Sequence, residues 1–206
     1  MAALCCVSQA QALRVRVEDA QGKPLADAVV VATPTAGIKS LPKPREEIVD
    51  QIDREFVPYV KPVLVGSYVR FPNKDNIRHH VYSFSAAKKF ELPLYKGTPA
   101  APVLFDKPGV VILGCNIHDW MVGYIYVSES PFYAQSGADG VALIGELPKG
   151  EYRVRVWHPD LETTEEANAR VVMVDEASRE TQLWQIPVKP TLRVQRAPRP
   201  ATDSYH

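Results

Sequence analysis

Gly109-Val110-Val111-Ile112-Leu113-Gly114-Cys115-Asn116-Ile117-His118-Asp119-Trp120-Met121-Val122-Gly123-Tyr124-Ile125-Tyr126-Val127 is two apolar, β-branched runs around a polar interruption. Runs of that length and composition read as strands, and the residues between them as the loop joining two strands of a sandwich. The loop carries a thiol, an imidazole and a thioether at i, i+3 and i+6: Cys115, His118 and Met121. Those are the donors a copper ion takes: a strong thiolate bond, an imidazole nitrogen and a long, weak axial thioether. The missing equatorial donor is a second imidazole, and His79-His80 opens a strand-like run upstream.

Each residue alone has a plainer reading. A single cysteine is commonly a small buried hydrophobe, a single methionine core filler, a single histidine a surface residue. Their conjunction in one loop points instead to one copper ion held by His79, Cys115, His118 and Met121. Neighbouring residues on a strand face opposite ways, so only one of His79 and His80 can face the site, and spacing alone leaves His80 as the alternative. Trp120 and Ile117 flank His118, either as an apolar apron around its edge or, for Trp120, as part of the core. His158, which precedes Pro159, and the terminal His206 are left out of the ligand set.

Composition agrees with a folded, all-β chain. The 206 residues are 46% hydrophobic, ample for a packed core, and 18 prolines among short valine-rich runs leave little room for long helices. Lys plus Arg and Asp plus Glu number 24 each, so no net field attracts nucleic acid or an anionic membrane. No transmembrane span is expected. No Ser-His-Asp set, phosphate loop or His-Glu-x-x-His helix is visible, which makes an enzyme the least supported class.

At the start, Ala2-Ala3-Leu4-Cys5-Cys6-Val7 is apolar and Ala10-Gln11-Ala12 has the small-x-small form of a signal-peptidase site. Residues 1–12 therefore read as the remnant of a secretory leader and place the protein in the periplasm or outside the cell. With Cys5 and Cys6 removed, Cys115 is the one cysteine left, and metal ligation would protect it from oxidation.

Leu13-Arg14-Val15-Arg16-Val17 alternates with period two, Asp19 to Leu25 forms a turn, and Ala28 to Ala32 is a buried strand. Ala138-Asp139-Gly140-Val141 and Leu147-Pro148-Lys149-Gly150-Glu151-Tyr152 follow far downstream. Taken together these resemble the two halves of a carboxypeptidase regulatory-like domain, a small prealbumin-type β-sandwich, separated by an insertion. Residues 13–44 and 133–188 are then the sandwich with its linker, 45–132 the inserted domain, and 189–206, rich in proline and arginine, a mobile tail. Within the insertion, Arg45 to Arg54 has Ile48 and Ile52 spaced by four and is expected to form a short helix or turn. Glu46, Glu47, Asp50, Asp53 and Glu55 there read as a solvated acidic face. Two prolines in Phe56 to Val65 mark an edge strand. Val171-Val172-Met173-Val174 is a late strand, with Met173 expected in the core.

Val65-Gly66, Val69-x-Phe71, Asn73 and His79, followed by Cys115-x-x-His118-x-x-Met121, resemble a cupredoxin of the plastocyanin and amicyanin type, over about Phe56 to Ser128. The resemblance implies a Greek-key β-sandwich and one type 1 copper cycling between Cu(I) and Cu(II). It selects His79, six residues after Asn73, as the first ligand. It also implies electron transfer to a periplasmic redox protein, a dehydrogenase or a cytochrome, with His118 as the route. Asn116 and Ile117 stand where related loops have a small hydroxyl residue and a proline, which alters the hydrogen bonds around the metal. The combination of domains resembles the periplasmic proteins named for methylamine utilisation. Two other classes stay open: copper storage, transfer or sensing, and a carbohydrate- or protein-binding sandwich without metal.

Overall fold

The structure is a computed structural model that describes residues 11–99, 101–175 and 180–189. The leader-like segment up to residue 10 with Cys5 and Cys6, the tail beyond 189 and His206 lie outside those residues. In chain order the strands are β1 (Gln11–Glu18), β2 (Val29–Pro34), β3 (Glu46–Ile48), β4 (Asp50–Ile52), β5 (Glu55–Val57), β6 (Val60–Leu64), β7 (Ser67–Arg70), β8 (His79–Phe84) and β9 (Lys89–Tyr95). There follow β10 (Val103–Phe105), β11 (Gly109–Gly114), β12 (Val122–Ser128), β13 (Phe132–Gln135), β14 (Val141–Leu147), β15 (Gly150–Trp157), β16 (Arg170–Val174) and β17 (Gln182–Gln185). Among the described residues the one helical turn is a 3-10 turn, Glu165–Asn168, and no helix is long and apolar enough to cross a membrane.

The chain divides into two compact units. Of the described residues, 11–43 and 128–189 form one unit and 44–127 the other. In the first, a three-stranded sheet (β14-β1-β17) and a four-stranded sheet (β13-β2-β15-β16) share one core. Period-two alternation does this. Leu13, Val15 and Val17 point inward from β1 to meet Val30 and Ala32 of β2 and Val154 and Val156 of β15. Each fully buried valine or leucine among them contributes about 1.5–3 kcal/mol. Residues 128–132 belong to this unit rather than to the inserted segment, because Ser130 Oγ donates to the Ala32 carbonyl (2.6 Å) and Phe132 pairs with Ala32. Gln11 and Ala12, assigned from sequence to the leader, open β1, where Gln11 pairs with Leu147.

The second unit packs a five-stranded sheet (β6-β12-β11-β8-β9) and a three-stranded one (β10-β7-β3) around Val63, Val69, Phe71, Val81, Phe105, Val111 and Leu113, with the small β4-β5 ladder alongside. Consecutive strands change sheets at β6–β7, β7–β8, β9–β10 and β10–β11, as in a Greek-key sandwich. β6, with Pro62, is an edge strand.

Two expectations are corrected. Residues 45–54 form no helix, and a turn only at Asp53 and Arg54: β3 pairs in parallel with β7, and the amides of Val49 and Gln51 donate to the carbonyls of Arg70 and Pro72. The residues that turn inward are Val49 and Gln51, whereas Ile48 is 50% exposed, so the four-residue isoleucine spacing does not mark the buried side. Three of the carboxylates there are ion-paired, Glu46 to Arg70, Glu47 to Lys61 and Asp50 to Lys74. Met173 is 56% exposed and not in the core, because β16 is an edge strand that buries alternate residues, with Val174 inside.

Candidate metal centre

The second unit brings His79, Cys115 and His118 together at one end of its sandwich. Cys115 follows the last residue of β11, directly after Gly114, which pairs with Val122 at the start of β12. The loop between is folded back by two backbone hydrogen bonds, Met121 N–H to the His118 carbonyl (2.9 Å) and Val122 N–H to the Trp120 carbonyl (3.0 Å). That fold sets His118 Nδ1 3.8 Å from Cys115 Sγ. His79 arrives from β8, with Nδ1 4.0 Å from the same sulfur. The three ligand atoms lie within 4.8 Å of one another, near enough for one ion at about 2.0–2.3 Å from each, ordinary metal–imidazole and metal–thiolate bond lengths. Met121 is 1% exposed and belongs to the same apolar cluster as Cys115.

His79 and His80 part as a strand requires. The β8–β9 pairing shifts register between His79 and Val81, yet β8 keeps its alternation, and His79 turns inward with Val81. His80 faces the other way, with Nε2 3.0 Å from the carboxylate of Glu91 and its ring against Tyr82. The geometry therefore brings His79, and not His80, to Cys115.

A residue absent from the sequence reading holds His79 in place. Asp75 Oδ2 is 2.7 Å from His79 Nε2, and the carboxylate also accepts from the backbone N–H groups of Asp53 (2.7 Å) and Arg54 (2.9 Å). Burial raises the Asp75 carboxyl's pKa, but the hydrogen bonds from His79, Arg54 and Asp53 more than offset it and leave it below the usual value. An ionised carboxylate only accepts, so Nε2 of His79 carries the proton and Nδ1 presents its lone pair toward Cys115. Asn73 fixes this loop in turn: its amide donates to the carbonyls of Ile77 and Tyr95 and its oxygen accepts from Asp75 N–H. The one sequence signal for Asp75 was a carboxylate four residues before a histidine, inside a turn.

Burial, then the neighbouring His79, hold the His118 imidazole below its usual pKa, so it is neutral and able to donate a lone pair at neutral pH. The Trp120 ring stands 5.2 Å from that of His118 and outside the core cluster, and Ile117 is 46% exposed beside it. Trp120 thus forms the apron. Behind the site, the Tyr95 hydroxyl donates to the Phe71 carbonyl and accepts from Gln51, and burial pushes it up to about 12. His158 lies in the other unit, its ring between the Ala26 carbonyl and Asp160.

No family model and no curated protein matches this sequence. Solved structures do. The chain is similar to a copper-containing nitrite reductase from Thermus scotoductus, with 26% identity, 47% of this chain covered and a TM-score of 0.38. The match spans 25% of the reductase chain. It is also similar to a purple cupredoxin from Nitrosopumilus maritimus (23% identity, 40% of this chain and 99% of that one, TM-score 0.35). A Cu(I) amicyanin variant matches at 22% identity over 40% of this chain and 82% of its own, with a TM-score of 0.36.

The donor set has its own chemical meaning. One cysteine sulfur and two imidazole nitrogens converge, with the thioether of Met121 buried in the same cluster as Cys115, a mixed soft and borderline set that suits copper, and the oxygen donors preferred by magnesium or calcium are missing from it. The residues present fit a copper ion.

Proposed function

We propose that this chain is a type 1 copper protein that carries single electrons in the periplasm or outside the cell. The observation that carries the reading is the convergence of His79 Nδ1, Cys115 Sγ and His118 Nδ1 within 4.8 Å. His79, Cys115 and His118 would hold one copper, with Met121 as a weak fourth contact. Bound copper supplies reversible one-electron chemistry.

The rest is the work of the chain. β8 carries His79, and β11 and β12 anchor the short, hydrogen-bonded loop that carries Cys115, His118 and Met121. Asp75 sets the tautomer of His79. Trp120 packs its ring beside that of His118. Four protein donors leave no position for a substrate, which favours electron carriage over catalysis, with a dehydrogenase or cytochrome of the same compartment as partner. Copper titration of metal-free protein tests this: one equivalent bound by the wild type and loss of tight binding in Cys115→Ser support it. Equal binding by both proteins would place copper elsewhere.

A further inference from the structure

The inward face of β8 carries His79; its outward face carries three rings. His80, Tyr82 and Phe84 alternate there, with ring centroids 5.6 and 5.2 Å apart in sequence. Tyr82 packs against β11 at one residue. A Cβ at Gly114 would stand 2.7 Å from Tyr82 Cζ, so the ring packs on the bare α-carbon of the residue bonded to Cys115. Any other residue there would push the ring away. The ladder ends on Phe84, which is 78% exposed, with Ile112, 50% exposed, on the adjoining strand. An isolated exposed apolar residue needs no explanation, but a phenylalanine this bare, at the end of a ring contact reaching the residue before Cys115, does.

Charge surrounds it. Phe84 opens a depression shared with Lys88, Lys89, Asp106 and Lys107. Lys88 is 3.5 Å from Asp106. Lys89 and Lys107 are exposed and have no ion-pair partner among the described residues. At the Phe84 end three ammonium groups stand against one carboxylate, while Glu91, opposite Tyr82, is paired with His80, which leaves a basic rim around an apolar centre, the plan of an interface core with a steering border.

We propose that this surface docks the acidic face of a one-electron redox protein, with Tyr82 over Gly114 as the contact between that partner and Cys115. One electron crosses, the partner's centre being reduced as the site is oxidised or the reverse, and no bond is made or broken. The electron half rests on the copper reading above; the docking half does not.

Two measurements on the full chain separate them. With metal-free, 15N-labelled protein, paramagnetic hexacyanochromate(III) should broaden the amide signals of Phe84 to Lys89 and of Asp106 and Lys107 before others, and Lys89→Ala/Lys107→Ala should abolish this. Broadening centred elsewhere, or none, overturns the docking surface. With the copper-loaded protein, stopped-flow oxidation by ferricyanide should slow about tenfold in Lys89→Ala/Lys107→Ala. It should also slow in Tyr82→Leu, whose hexacyanochromate broadening stays intact. Unchanged rates in both, with a loss in Ile117→Ser, would move the exit to the His118 edge and overturn the route. If the protein binds no copper, the route falls with that reading, and the broadening still decides the docking.

Discussion

Nε2 of His79 stands 2.7 Å from Oδ2 of Asp75, and this contact decides which imidazole nitrogen faces Cys115. The same carboxylate is gripped by two backbone N–H groups from Asp53 and Arg54, both at positive φ. The β4-β5 turn is thus tied through one side chain to the proposed metal ligand.

Asp75→Asn replaces an acceptor by a group that also donates, so the ring of His79 loses its fixed tautomer. Copper affinity, measured by competition with a chelator, should fall about 10- to 100-fold, the usual effect of losing such a partner. Asp75→Glu should recover part of it.

Met121→Leu keeps volume in a fully buried position and removes only the sulfur. Stability should change by less than about 1.5 kcal/mol in thermal unfolding. Copper should remain bound, and the reduction potential should rise, since losing a weak donor disfavours the oxidised ion more than the reduced one.

Gly114→Ala sets a methyl group into the Tyr82 ring. Overpacking of this kind costs about 1–3 kcal/mol, readable as a lower Tm. In a Tyr82→Ala background the same change should be nearly neutral, because the two positions share one contact.

His158 titrates against the fold. Burial holds its pKa below the usual value, though Asp160 and the Ala26 carbonyl oppose this. A depressed histidine favours the folded state above its unfolded pKa, and that share of stability is lost as pH falls from about 6.5 through the folded value. Metal-free protein should therefore lose stability as pH falls below about 6.5 in chemical denaturation, and His158→Gln should flatten the slope.

The legible parts of this molecule are those encoded locally. β1 declares itself through Leu13, Val15 and Val17, and the loop through Cys115, His118 and Met121, because period-two burial and donor spacing act within a few residues. From spacing alone His79 and His80 were a choice, since which face turns inward depends on pairing with β9, and it was the cupredoxin resemblance that selected His79. Asp75 was not legible because its partners Asp53 and Arg54 come from a separate hairpin. Residues 45–54 misled for the same reason: the Ile48 and Ile52 spacing is helical, but parallel pairing with the distant β7 takes the backbone groups a helix would use. Met173 looked like core because its neighbours are apolar, and it is the edge position of β16 that turns it out.

The central claim is that His79, Cys115 and His118 form one copper site, and the most direct test is the visible and electron paramagnetic resonance spectrum of the Cu(II)-loaded protein. An intense thiolate-to-copper band with narrow parallel hyperfine splitting, absent from Cys115→Ser, is the predicted result. Copper bound without that band, or not bound in stoichiometric amount, would contradict it.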